Sequence, residues 1–372
     1  MRLDKSTRQD EKELAEFFSG FPTQGPVEVR VDRYGGFSAP YHLQSDDAVT
    51  YMLRDAANKV QGCASFVTRE VLLNMEPQRV TFGHDLRISS SRKAILEWSH
   101  HFLPVMEEVF HEHRSQLLLT ALNMREMSAY NAFIRPRPHS RPLPRYHLFA
   151  KFNFVTVHGR WPWAPPPLPH LRVLRGTEEW IEPLSYFLRK NSTPRMLSSL
   201  HRVHILKDRL TRWPGFSIEN FYIAVDHNNQ IRGCMGMWSP EPIYSLYPTH
   251  YTKQADNLRQ FLKVGRAFGW AHTLPPVKSK APFHFHYLTH LFVENESIFE
   301  SLLHEAYNNL PKYEFMAYLH FEKDWTLKSP PKWITTSTPY GLYMLLPPDS
   351  APPDFINPTS ENKIELESCF IF

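Results

Sequence analysis

Apolar and polar positions follow the same order twice along this chain of 372 residues. In the first half, a helical pattern over 10–18 precedes two strands joined by a polar turn over 51–63. An apolar strand over 79–88 then meets a helix over 92–113, whose apolar positions recur every three or four residues. Another apolar strand follows over 116–122. This succession predicts an α/β unit built around one sheet.

The second half repeats this succession with matching residues. Its segment 222–234 (YIAVDHNNQIRGC) aligns with 51–63 (YMLRDAANKVQGC) at an offset of 222 − 51 = 171. Each segment is typical of a β-hairpin, because Asp and Asn side chains in the turn hydrogen-bond their own backbone. A strand, a helix and a strand follow over 283–319, after an insertion over 247–281. The identical pairs are Tyr51/Tyr222, Asp55/Asp226, Asn58/Asn229, Gly62/Gly233 and Cys63/Cys234.

A proline-rich segment separates the two halves. Residues 161–169 read WPWAPPPLP, and consecutive prolines force an extended backbone and remove amide donors. We therefore predict a first domain over 1–160, a linker over 161–169 and a second domain over 170–346. The remainder, 347–372, is rich in Pro, Asp, Ser and Asn and is predicted to be an extended or docking tail.

Three segments of the first half carry a family resemblance. The hairpin ends in NKVQG at 58–62, and the strand end DLRI at 85–88 runs into SSSRKAI at 89–95. Asn123 and Tyr130 stand seven residues apart after the last strand. Together with the tandem order, these segments resemble the GNAT N-acetyltransferase superfamily in a double-domain arrangement. The resemblance implies fold class α/β (α+β), with two tandem GNAT-like domains, each a mixed, largely antiparallel sheet flanked by helices.

The resemblance also implies a site for acetyl-CoA or another acyl-CoA where the fourth and fifth strands separate. The pantetheine arm would hydrogen-bond to the open edge of the fourth strand, as an additional β-strand would. Backbone amides at the start of the following helix would bind the pyrophosphate. The loop departs from the family pattern Gln/Arg-x-x-Gly-x-Gly/Ala, because Ser90–Ile95 contains no glycine. The cofactor-binding residues so implied are Leu86, Arg87, Ile88, Ser91, Arg92, Lys93, Ala94 and Asn123.

Three residues are candidates for the chemistry. The resemblance implies that Tyr130 protonates the departing CoA thiolate, and the alternative is a tyrosine that packs on a helix face. His84 is a candidate to accept the proton that the amine loses, since the ordinary pKa of histidine is near neutrality. The alternative is that His84 is a hydrogen-bonded core histidine. Asp85 lies on the opposite strand face with Arg87 and is either a base or an ion-pair partner. Asn123 would hold pantetheine or cap the next helix.

Two further clusters have simpler explanations. His284, His286 and His290 share strand parity and would bind metal or line a cleft, but metal sites usually have supporting carboxylates, so we predict no metal. The basic segment 135–145 is either a binding site for phosphate, an acidic partner or RNA, or a solvated loop.

In the second half, the segment 293–297 carries two carboxylates that would repel a pyrophosphate, so we expect no cofactor there.

Composition narrows the function classes. The chain has 14 glycines and 32 prolines, and neither G-x-G-x-x-G nor G-x-x-x-x-G-K-[ST] occurs, which argues against dinucleotide-binding, P-loop and kinase folds. A net charge of +4 is too balanced to indicate nucleic-acid binding. Three cysteines suit a reducing compartment, and no apolar run spans a membrane, so we expect a cytoplasmic protein without membrane contact.

The sequence therefore predicts an acyl-CoA-dependent N-acyltransferase, with acetyl as the expected acyl group. Chemistry would lie in the first half, and the second half would shape the cleft for a small-molecule or peptide amine. The alternative is a catalytically inactive tandem protein with a binding or scaffold role, which the glycine-free loop favours. The oligomeric state is left open.

Overall fold

The structure, a computed structural model, describes residues 1–23, 25–126, 131, 134, 143–164, 171–356 and 363–371. The strands of this part of the chain are β1 (Arg2–Lys5), β2 (Val27–Arg33), β3 (Ala48–Arg54), β4 (Val60–Leu73), β5 (Glu76–Ile88), β6 (Leu117–Asn123), β7 (Arg145–Arg160), β8 (Arg172–Arg175), β9 (Phe221–Val225), β10 (Ile231–Trp238), β11 (Tyr244–Tyr251), β12 (His284–Val293), β13 (Glu314–Phe321) and β14 (Trp333–Leu346). The helices are α1 (Glu11–Ser19), α2 (Ala39–His42), α3 (Arg92–Glu112), α4 (Ile181–Ser192), α5 (Ile205–Arg212), α6 (Lys253–Ala267) and α7 (Glu296–Asn308).

The two aligned hairpins have the same turn. Asp55 Oδ1 accepts from the Ala57 and Lys59 amides at 2.9 and 3.0 Å. Asp226 Oδ1 accepts in the same way from the amides two and four residues later, at 2.8 and 3.0 Å. Asn58 and Asn229 both take left-handed backbone conformations, with φ of 64° and 57°. Asparagine tolerates this conformation better than most residues do, so the repeated Asp and Asn fix the repeated turn.

One twelve-stranded sheet runs through both halves in the order β1-β3-β4-β5-β6-β14-β7-β13-β12-β10-β9-β8. Its central strands are exchanged: β14, the last strand of the second half, pairs with β6 of the first half. Conversely, β7 of the first half pairs with β13 of the second. The long antiparallel pair of β7 and β14 therefore joins the halves into one sheet.

Apolar side chains bury both faces of this sheet. In β9, Ile223 and Val225 pack into one core cluster, while Tyr222 and Ala224 pack into another. Strands that are covered on both faces read as continuous apolar runs, as β9 does. On the first half, α3 covers one face with Trp98, which is 4% exposed, and with the neighbouring apolar positions of its buried stripe.

A two-stranded sheet of β2 and β11 also connects the halves. The strands are antiparallel, with Val31 opposite Leu246. Both side chains line the same central cavity, so this small sheet forms one of its walls. No helix in the described part of the chain is long and apolar enough to cross a membrane.

Candidate active site

Strands β5 and β6 separate part of the way along their length. They pair in parallel from Val80 and Leu117 to Gly83 and Thr120, and the pairing ends there. At that point the Thr120 hydroxyl donates to the Gly83 carbonyl at 3.0 Å. Asp85 then takes a left-handed conformation with φ of 53°, and the register between β4 and β5 shifts as in a β-bulge. The bulge keeps β5 on β4 and leaves its other edge open.

The open edge of β5 has no strand of the described chain paired with it beyond Gly83, and the Leu86 carbonyl on this edge accepts from Arg87 Nη1 at 3.0 Å. The Ser89 amide donates to the Gln61 carbonyl of β4 at 2.8 Å. Because backbone groups alternate along a strand, those of Ile88 and Leu86 face the open side, while those of Arg87 face β4. Among the three implied strand residues, Leu86 and Ile88 are therefore placed to bind an extended ligand by main-chain hydrogen bonds.

The opening leads into a cavity of about 1840 Å³. Pockets for drug-sized ligands measure about 300–1,000 Å³, so this one has room for two reactants. Its walls come from both halves and are largely apolar. Representative wall residues are Phe82, Trp98 and Phe102 from the first half and Phe285, Phe315 and Leu258 from the second.

His84 lines this cavity where the strands separate. Its Nε2 atom is buried and has no hydrogen-bond partner within the described residues. Burial lowers the pKa of the imidazole to about 4, although the Asp85 charge opposes the shift. The ring is therefore neutral at pH 7, and with its proton on Nδ1 the unpartnered Nε2 can accept a proton from a group in the cavity. The lowered pKa makes this imidazole a weaker base than an ordinary histidine.

Asp85 is held by two groups that the sequence pattern did not suggest. Arg33 of β2 forms an ion pair with its carboxylate, and the Tyr41 hydroxyl donates to Oδ2 at 2.6 Å. Burial raises the pKa of this carboxyl, but the charges of Arg33 and Arg87 and the bond from Tyr41 outweigh it and lower the pKa to about 2. A carboxylate held in this way is a weak proton acceptor. The ion pair expected with Arg87 is formed with Arg33.

The loop after β5 caps helix α3. The Ser91 hydroxyl accepts from the Ala94 amide at 3.1 Å, so this amide is already occupied. Arg92 and Lys93 are exposed at the first turn of a 21-residue helix. Amides at such a start and two cations favour an anion, so the loop fits a pyrophosphate without glycine. The fit rests on charge and helix geometry.

Asn123 lies at the end of β6, and its Oδ1 accepts from the Arg125 amide at 2.9 Å. This contact shapes the turn after the strand, and the residue also lines the cavity. Tyr130 lies outside the described residues, as does most of the basic segment 135–145.

The corresponding opening in the second half is filled by the chain's own tail. Strands β12 and β13 pair in parallel only as far as Tyr287 and Ala317. Beyond that point the Ser368 hydroxyl donates to the Leu288 carbonyl at 3.1 Å and accepts from the Leu319 amide at 3.1 Å. One side chain thus bridges the two separated strands, in the place where the first half is open.

The three histidines of β12 contact separate partners. His284 lies 2.6 Å from Glu241, and His286 lies 2.6 Å from Glu314. His290, with φ of 49°, lies where the register between β10 and β12 shifts as in a β-bulge, and it contacts Arg209. Within the described residues, no group of three His, Cys, Asp or Glu side chains is arranged to hold a metal ion.

Sequence reasoning missed several residues of the cavity. Arg33 and Tyr41 are far from Asp85 in sequence, so no local pattern connects them. On the wall formed by β7 and β14, Thr156 and Thr336 are hydrogen-bonded to each other, and Thr156 lies 2.8 Å from His158 Nε2. These polar groups interrupt an otherwise apolar wall, and only the alternation of Thr and His along β7 hinted at a polar strand face.

Neither a known protein family nor a curated protein matches this sequence. Two structures of Saccharomyces cerevisiae N-myristoyltransferase, both with bound myristoyl-CoA and one also with inhibitors, match with a TM-score of 0.53 at 9% identity. They cover 98% of this chain and 86% or 89% of the yeast chains. A GCN5-related N-acetyltransferase from Sphaerobacter thermophilus matches with a TM-score of 0.44 at 9% identity, over 81% of this chain and 80% of that chain.

The likeness to the yeast enzyme shows the fold. At the level of the fold, this match confirms the expected α/β fold class and the resemblance to the GNAT fold. Both structures of the yeast enzyme contain bound myristoyl-CoA.

Proposed function

We propose that this protein is an acyl-CoA-dependent N-acyltransferase that transfers the acyl group directly to an amine. The observation that carries the proposal is the opening between β5 and β6, which leads into a cavity shared by both halves. An acyl-CoA needs an anion site, an extended groove and an apolar pocket. The first turn of α3, with Arg92 and Lys93, would supply the anion site, the open edge of β5 the groove, and the shared cavity the pocket.

The acyl group that fits this cavity is longer than acetyl. An acetyl group would leave the aromatic walls around Trp98 and Phe102 without contacts, and an apolar void forfeits dispersion energy. A fatty acyl chain would remove apolar surface from water, which contributes roughly 25 cal/mol of favourable free energy per Å². We therefore propose that the acyl group is longer than the acetyl group expected from the sequence, and acyl-CoAs of several chain lengths should be tested.

The chemistry is assigned to groups at the opening. The amine nitrogen forms a bond to the thioester carbonyl carbon, the carbon–sulfur bond breaks, and the thiolate leaves. His84 accepts the proton that the amine loses, directly or through a water molecule. Backbone amides on the open side of β5 polarise the carbonyl oxygen. The protonation of the thiolate by Tyr130 remains the proposal implied by the resemblance.

The amine acceptor is assigned to the polar part of the cavity wall, on the central strands β7 and β14. Thr156, His158 and Thr336 line the cavity there, and His158 Nδ1 is buried without a hydrogen-bond partner in the described chain. Such groups suit an acceptor with its own hydrogen-bonding backbone, as a peptide amine has. A small-molecule amine is the alternative.

A CoA-release assay tests the proposal. Purified protein is incubated with acetyl-CoA and with fatty acyl-CoAs, each with and without a pool of peptides bearing free amino termini. Amine-dependent thiol release with at least one thioester supports the proposal. Saturable acyl-CoA binding without release favours the alternative of a binding protein, because the site would be intact and the chemistry absent.

A further inference from the structure

Helix α6 carries an exposed apolar stripe on the surface. Phe261 and Val264 lie on α6 and Phe268 caps its C-terminal end, and these three residues are 39%, 55% and 75% exposed. Trp163, at 67% exposed, extends the stripe, because it stacks on Trp161 at 4.9 Å and that ring lies 5.8 Å from Phe261. Contiguous exposed apolar surface of this kind marks an interaction site.

Exposed lysines accompany this stripe. Lys253 and Lys263 of α6 are exposed, and exposed Lys332 adjoins the stripe, since its carbonyl accepts from the Trp161 amide at 3.0 Å. Arg259 and Arg266 are partly buried and contact Asp256 and Tyr313, and Asp256 is the single carboxylate of the helix. The surface thus combines exposed apolar side chains with exposed cations.

The helix is held rigidly beneath this surface. Leu262 is fully buried, and a Cβ atom on Gly265 would come within 2.5 Å of the Trp270 ring, so helix and ring are in close contact. Ala255 and Leu258 of the same helix line the central cavity. The helix that presents the exposed stripe is therefore also part of the cavity wall.

We propose that this face binds the surface of an anionic lipid bilayer. Tryptophan and phenylalanine side chains sit well at the headgroup level, and each nearby Lys or Arg gains about 1 kcal/mol from anionic lipid. A second copy of the chain fits less well, because the exposed lysines of the two copies would be brought together and would repel each other. The proposal replaces the sequence-based expectation of no membrane contact and does not depend on acyl transfer.

Vesicle co-sedimentation of the full chain tests this proposal. The probes are phosphatidylcholine vesicles with and without phosphatidylserine. We expect binding only with phosphatidylserine, lost more than tenfold in Val264→Ser/Phe268→Ser and roughly tenfold in Lys263→Glu. The matched control is Tyr186→Ser, which removes an aromatic residue that is 61% exposed on α4, and it should bind as the wild type does.

Three outcomes overturn the proposal. One is the absence of binding to either vesicle. Another is binding that the two α6 variants retain in full. The third is a dimer in analytical ultracentrifugation that Val264→Ser/Phe268→Ser dissociates, since the face would then serve a second copy. Circular dichroism of each variant excludes unfolding as the cause of lost binding.

Discussion

Arg209 and Glu367 form an ion pair of 2.5 Å in which both side chains are only 5% exposed. Arg209 belongs to α5 and Glu367 to the tail, so the pair fastens the tail to the second half. The next residue, Ser368, then bridges the separated strands β12 and β13. The tail also brings Phe370 and Ile371 to the cavity wall. The last part of the chain is therefore a component of the fold.

Removing the tail's carboxylate should destabilise the protein. Glu367→Ala leaves the Arg209 charge buried without its partner, and breaking a buried pair in this way costs about 3–5 kcal/mol. Urea unfolding measures the loss. Asp46→Ala is the matched control, because Asp46 pairs with Arg212 on the surface and is 82% exposed, where a pair contributes about 0–1 kcal/mol. Equal effects of the two variants would contradict this account of the tail.

A neighbouring carboxyl predicts a dependence on pH. Burial, with a contribution from Glu367, raises the pKa of Glu365 to about 7. The folded protein then keeps a proton that the unfolded chain releases above about pH 4.5. Its contribution to stability is complete below that pH and is lost as the pH rises through 7. Glu365→Gln should thus be more stable than the wild type near pH 8, by about 3 kcal/mol, and equal to it near pH 4. A gain that does not vary with pH would refute the assignment.

Local pattern was enough to predict the repeated units. The aligned Asp55 and Asp226, with their asparagines, specify the same hairpin turn, and periodicity located helices α3 and α7. The exchange of β7 and β14 and the pairing of β2 with β11 depend on contacts between distant segments, which no periodicity encodes. The same reason hid Arg33 as the partner of Asp85, since the two residues are 52 positions apart.

Substitutions at adjacent positions should separate chemistry from structure. His84→Gln is expected to lower kcat about 100-fold, as loss of a general base does, with little change in acyl-CoA affinity or unfolding free energy. Asp85→Asn should instead lower the unfolding free energy by about 3 kcal/mol, because Arg33 loses its buried partner. Steady-state kinetics and urea unfolding of both variants provide the comparison. If Asp85→Asn abolished turnover without loss of stability, Asp85 would be the base.

The cations at the start of α3 should contribute to cofactor affinity. Arg92→Glu/Lys93→Glu reverses two charges beside the proposed pyrophosphate site, and we expect acyl-CoA affinity to fall by roughly tenfold or more at low salt. Arg189→Glu/Lys190→Glu makes the same change in the last turn of α4 and should leave affinity unchanged. Equal affinity of both double variants would place the phosphates elsewhere.

The central claim is that acyl-CoA binds in the opening between β5 and β6. Isothermal titration of the wild type and of Ala121→Trp with a series from acetyl-CoA to myristoyl-CoA tests it most directly, because Ala121 lines the opening and an indole there would fill it. We predict saturable binding by the wild type that strengthens with acyl length, and no binding by a folded Ala121→Trp protein. Absence of binding by the wild type, or equal binding by both proteins, would contradict the claim.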